Sequence, residues 1–144
     1  MIKSITYIGI IILLISCSST NQLSKNYKQT LLDDNTFIIT EIAIDKTYGL
    51  SSNNPVEVGG VKNSEGPKNE RRYLNALAGP NGEKIAYNRV VSCCPIESKN
   101  GMMGMVLLDL YSVSWEGSKD TVSIYINMYD SGHLKAPFGF GIKK

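Results

Sequence analysis

Two adjacent cysteines, Cys93 and Cys94 in "RVVSCCPIESKNG", carry the most reactive side chains of this sequence. Such a pair can form a disulfide, exchange with a partner thiol, or ligate a soft metal. Adjacent Cα atoms lie about 3.8 Å apart, whereas most disulfides span about 4.4 to 6.8 Å, so a bond between neighbours is geometrically demanding. On a regular strand the two side chains would also point to opposite faces, and only a local turn lets them meet. Pro95 suits one. The stretch "CCPIESKNGMMGM" adds Met102, Met103 and Met105, and soft sulfur ligands select copper(I). Yet the chain has one histidine, His133, and no Cys-x-x-Cys or His-x-x-x-His spacing, which zinc sites commonly use. The residues therefore suggest a packed thiol pair, a structural disulfide or a redox pair ahead of a metal site, and no metal or cofactor is expected.

Other chemistry is sparse. A Gly-x-Ser-x-Gly elbow, a phosphate loop and a Gly-x-Gly-x-x-Gly turn are all absent, so no catalytic residues are assigned. His133 falls in the turn-rich "DSGHLK" and reads as an exposed loop residue. Tyr111, Trp115, Tyr125, Asn127 and Tyr129 could share one face of a hairpin. Aromatic residues with polar tips suit binding surfaces, and they equally suit packing under a loop. Glu70, Arg71 and Arg72 read as the solvated face of a helix.

Cysteine chemistry depends on the compartment, and the N-terminus speaks to that. "MIKSITYIGIIILLISC" has one basic residue, Lys3, then an uncharged apolar run from Ile5 to Ile15. That run falls short of the about 20 residues a membrane span needs and matches a signal-peptide core. "LISC", Leu14 to Cys17, resembles the lipobox of bacterial lipoproteins. The resemblance implies cleavage before Cys17 and acylation of that residue with chains such as palmitate, and two or more chains give stable anchoring. Residues 1–16 are then a lipoprotein signal peptide, residues 17–32 the lipidated end and a serine-rich tether, and residues 33–144 one domain. The tether lacks an aspartate after Cys17 and lacks an acidic run, which by the same resemblance points to an outer-membrane, periplasm-facing location. With Cys17 assigned to lipid, a matched pair of cysteines remains in an oxidising compartment.

Loss of Lys3 leaves one more basic than acidic residue, and the charges are scattered. That balance disfavours nucleic acid as a partner. The partners expected are the membrane, through the anchor, and an envelope protein or glycan.

The elements that must position these residues are mostly strands. "TFIITEIAID" reads as a strand with Ile38, Ile42 and Ile44 on one face, and "KTYGLSSNNPVEVGGVKNSEGP" as a long loop with a short extended piece at Val56 to Val58. "PKNERRYLNALAGP" predicts the one main helix, started near Pro67, carrying Leu74, Leu77 and Ala78, and stopped by Gly79 and Pro80. A strand from Ile85 to Val91 should end at the double cysteine and Pro95. "MGMVLLDLYSVSW" and "TVSIYINMY" should form a hairpin across "EGSKD", with Val122, Ile124, Ile126 and Met128 toward the core and Thr121, Ser123, Tyr125, Asn127 and Tyr129 outward. A short final strand fits the tail. The expected fold is α+β: a single small domain with an antiparallel sheet of about five strands and one main helix on one face.

Across Tyr48 to Phe140 the chain resembles a family of small Bacteroidota lipoproteins. The resemblance is carried by Asn54-Pro55 with Gly59-Gly60, by "YLNAL" (Tyr73 to Leu77), by Arg89 ahead of Ser92-Cys93-Cys94, and by Ala136-Pro137-x-Gly139-Phe140. Val91 stands where that pattern has glycine. The family implies a lipid-anchored envelope domain, either a binding or assembly module or a thiol-active protein using the cysteine pair. Some chains of this look carry the name 2-dehydro-3-deoxyphosphooctonate aldolase. The enzyme so named resembles a (β/α)₈ barrel, which takes at least about 200 residues, and that size argues against the name.

Overall fold

A computed structural model describes residues 27–144 of the chain. The expected signal peptide, Cys17 and most of the expected tether lie outside the described residues. Residues 27–32, expected to be tether, are instead tied to the domain. Ser131 Oγ donates to the Tyr27 carbonyl at 2.7 Å, Gln29 Nε2 donates to the Gly132 carbonyl at 2.7 Å, and β1 (Leu31–Asp33) pairs antiparallel with β2 (Thr36–Phe37).

Beyond β2 the chain bridges Ala136 through Ile42 rather than continuing as a strand. Its buried residues are Phe37, Ile39 and Ala43, while Ile44 is 93% exposed. Ile38, Ile42 and Ile44 do share one side, and it is the outward one, since neighbours in an extended segment alternate between two faces. The Gly-rich loop follows and leads into β3 (Val56–Glu57), then a 3₁₀ turn at Val61–Asn63 and the helix α1 (Gly66–Asn75).

Pro67 lies in the first turn of α1, where its missing N–H has no intrahelical acceptor to lose. The helix ends before Leu77 and Ala78, which were expected to continue it. They form β4 (Leu77–Ala78), whose backbone pairs with β8 (Gly141–Ile142). The tail competes for that backbone and wins. Within α1 the buried residues are Gly66, Asn69, Glu70, Arg72, Tyr73 and Leu74. Glu70 and Arg72 are thus not on a solvated face, and Arg71 is the exposed member of the three. Arg72 donates to the Asp34 carbonyl and to Glu65 and Asn69, clamping the β1–β2 turn to the helix.

The main sheet contains β5 (Ile85–Met102), β6 (Met105–Trp115) and β7 (Val122–Asn127). Its order is β3-β7-β6-β5, with β3 parallel to β7 and the other pairings antiparallel. The domain is α+β, as expected, but its main sheet is mixed and two short ribbons bring the described strands to eight. A parallel pair needs a crossover connection, and everything from α1 to β6 supplies one between β3 and β7. No alternating (β/α)₈ arrangement is present among the described residues. The core lies between α1 and one face of the sheet, where Val56, Tyr73, Leu74, Val113, Ile124 and Ile126 are each fully buried.

The β6–β7 hairpin and its inward Ile124 and Ile126 match the expectation. β5 does not stop at the cysteines. It runs on past Pro95 to Met102. As an edge strand it tolerates a proline, which cannot donate to a neighbouring strand.

Candidate functional site

Cys93 and Cys94 are joined by a disulfide, with Cα atoms 3.7 Å apart. Cys93 stands opposite Leu108 and Pro95 opposite Leu107, so Cys94 is an extra residue, a β-bulge in β5. Its φ is 57°, in the left-handed region. A bulge kinks the strand and re-aims a side chain, which is how neighbouring side chains of one strand come to the same side. Both cysteines are partly exposed. Because both sulfurs are in the disulfide, neither is a thiolate ligand. Met102 and Met105 pair with each other at the far end of the β5–β6 hairpin.

Beside the disulfide, on the core side of the sheet, lies a polar network. Arg89 grips Asp109 with both arms, Nε to Oδ2 and Nη2 to Oδ1, each at 2.7 Å. Ser92 Oγ donates to Asp109 Oδ1 at 2.6 Å and accepts from Arg89 Nη2 at 2.6 Å. Asp109 is buried while Arg89 is half exposed, so the guanidinium closes the network toward solvent. Burial pushes the Asp109 carboxyl up, but the bonds from Arg89 and Ser92 outweigh it and hold the group below its usual range.

Glu70 approaches the same carboxylate from α1. It is completely buried. Tyr111 donates to its Oε2 at 2.8 Å, and its Oε1 meets no N–H or hydroxyl donor among the described residues. Burial, reinforced by the negative charge of Asp109, pushes the Glu70 carboxyl up to about 7. A neutral Glu70 carries its own O–H, and Asp109 is the acceptor beside it. Protonation of Glu70 would thus give the orphaned oxygen an acceptor in Asp109.

Asp109 was not singled out from sequence and Glu70 was read as solvated, though both left a signal. Asp109 is the one charge inside the apolar run "MVLLDLYSV", and a charged residue inside a buried strand needs a partner. Glu70 precedes Tyr73 and Leu74 by three and four residues, which places it on their helical face.

The proposed aromatic face does not assemble. Tyr111 pairs with Ile124 and Leu110 with Tyr125, so Tyr111 and Tyr125 are on opposite faces of the sheet. Tyr111 is buried against Glu70. Trp115 packs on the core edge-on to Phe140, with ring centroids 5.4 Å apart. Asn127 is buried, caps the following turn by accepting from the Tyr129 and Asp130 N–H groups, and donates to Asp130 Oδ2. Tyr125 and Tyr129 are half-buried.

The Gly-rich loop instead borders two adjoining clefts of about 340 and 250 Å³ that share Tyr48 and Asn54. Glu57 and His133 line the larger, Glu41 and Lys135 the smaller. His133 is paired with Glu41, and Lys135 Nζ lies 3.4 Å from the same carboxylate. The His133 bond, foremost, holds Glu41 below its usual range. Burial, then the charge of Asp130, raises Glu57. Tyr48 OH accepts from the Lys135 N–H, and burial raises its phenol to about 12. Comparisons of the chain with protein-family models, with curated proteins and with solved structures find no match.

Proposed function

We propose that this chain is a lipid-anchored cell-envelope protein, held through acylated Cys17 at the outer membrane and facing the periplasm, that serves as a binding or assembly module. The supporting observation is the pair of clefts beside the Gly-rich loop. Their combined size suits a small ligand or a peptide segment, and convergent polar groups around Tyr48 would fix its orientation. Hydroxyl-rich envelope glycan or an extended segment of an envelope protein has the matching chemistry. Titration of cell-wall glycan fragments and purified envelope proteins, followed by amide NMR, tests the reading. Shifts should cluster at Tyr48, Glu57 and His133, and E57Q with H133A should weaken binding by roughly tenfold. Unmoved resonances there with every ligand would sink it. For the anchor, C17S should abolish acyl labelling and release the protein from membranes; continued retention would contradict it.

A second reading has its own observation, the partly exposed Cys93–Cys94 disulfide on an edge strand. In it a partner thiolate attacks one sulfur to form a mixed disulfide and the other sulfur leaves as thiolate. A second partner thiol completes the exchange, so two thiols are oxidised as the pair is reduced. Differential alkylation of protein taken from cells tests this. A pair that never appears as dithiol, even under reductant, does not cycle.

A further inference from the structure

The hairpin between β5 and β6 ends in "NGMMGM" and leaves two methionines almost wholly in solvent, Met102 at 87% and Met103 at 97% exposure. Met103 and Gly104 are the two connecting residues, both at positive φ, 55° and 77°. Such a turn favours Asn-Gly or Asp-Gly, so an apolar side chain at its first position runs against local preference. The apolar surface continues down the arm through Met105 and Leu107, both more than two-fifths exposed. Lys99 is the one charged residue between Ser98 and Met105.

The place where the chain enters the domain says what this tip faces. Asp130 Oδ1 accepts from Ser98 Oγ and from Asn100 Nδ2, each at 2.7 Å, and so holds the arm. The next residue, Ser131, holds Tyr27, and Gly132 holds Gln29. Three consecutive residues therefore secure the hairpin arm and the incoming N-terminal chain together. Ten residue steps separate Tyr27 from Cys17, a reach of at most about 36 Å.

We propose that the Met102–Met103 tip is a second membrane contact, seated in the interface of the same bilayer that receives the acyl chains of Cys17. The proposal rests on the lipid-anchor reading. Methionine suits the role: its long unbranched thioether adapts to an irregular apolar surround, and Lys99 beside it complements anionic headgroups. Two contacts, lipid and tip, fix the orientation of the domain where a tether alone would let it tumble. The β6–β7 turn then points away from the membrane, since β6 separates it from the tip by 11 residues, roughly 35 Å of strand.

The test uses the mature acylated protein in vesicles of phosphatidylethanolamine and phosphatidylglycerol. With Cys17 acylated and Cys93 bonded to Cys94, M103C provides the single free thiol for an environment-sensitive fluorophore. M102C gives a second position and K119C, on the distal turn, the reference. The labels at 102 and 103 should shift to the blue and be quenched by nitroxide lipids several-fold more than the label at 119. Labels at 102 and 103 that iodide reaches as readily as the label at 119 overturn the proposal. So does a label shielded from both quenchers in proportion to protein density, which would place a second copy on the tip. Failure of the anchor reading is distinct: the protein then lacks acyl label and does not float with the vesicles.

Discussion

Tyr111 donates its phenolic hydrogen to Glu70 Oε2 at 2.8 Å between two buried residues, one on β6 and one on α1. The bond settles which oxygen of Glu70 is left over. Oε1 has no N–H or hydroxyl donor among the described residues, and burial with the Asp109 charge beside it favours the protonated carboxyl.

That proton makes stability depend on pH. The folded-state Glu70 titrates at about 7, above its ordinary 4.5. Between these values the folded chain binds a proton that the unfolded chain has released, so the stabilisation is complete below about pH 4.5 and is lost as pH rises through about 7, amounting to about 3 kcal/mol. Asp109 acts oppositely, contributing stability above its ordinary 3.8 that is lost as pH falls through its lower folded value. Urea unfolding should show wild type weakening from mildly acidic to mildly alkaline pH. E70Q, whose amide donates and accepts in the same places, should show a nearly flat profile over that range.

Arg89 is the solvent-side closure of the network. R89A strips a bidentate partner from a buried carboxylate and should cost about 2 kcal/mol in urea unfolding at neutral pH. R89K keeps the charge without the planar fork and should recover part of that loss. Equal stability of all three proteins would show that solvent replaces the guanidinium without penalty.

The Cys93–Cys94 bond closes the shortest loop a chain permits, so it removes little entropy from the unfolded state. C93S/C94S should change stability by about 1 kcal/mol, below the 2–4 kcal/mol typical of longer loops. A much larger loss, measured against the disulfide-bonded wild type and matched by reduced wild type, would mean that the bulge itself depends on the bond.

Gly60 and Gly82 separate conformational from steric cost. Both have positive φ, 109° and 91°, but a Cβ at Gly60 would lie 2.5 Å from Asn69 Nδ2 whereas one at Gly82 meets nothing within 4 Å. Asn69 is buried and holds the Gly59 carbonyl and Arg72. G82A should cost about 1 kcal/mol and G60A about 2 kcal/mol or more in thermal or urea unfolding.

Local signals in the sequence determined the helix start at Pro67, the β6–β7 hairpin, the inward Ile124 and Ile126, the short extended piece at Val56 and the final strand. Each depends on neighbours within a few residues, on period-2 alternation, turn chemistry or proline geometry. Tertiary structure alone decided the rest. Leu77 and Ala78 leave their helical pattern because the tail offers their backbone a ladder. β5 passes through Cys93, Cys94 and Pro95 because β6 pairs along it and a bulge absorbs Cys94. Tyr111 faces away from Tyr125 because register, which a one-residue slip would invert, is set between strands rather than within one. Glu70, Asp109, Arg89 and Ser92 meet for the same reason: α1, β6 and β5 are distant in sequence, and only their packing around one core makes a buried carboxyl pair and then requires that it be neutralised.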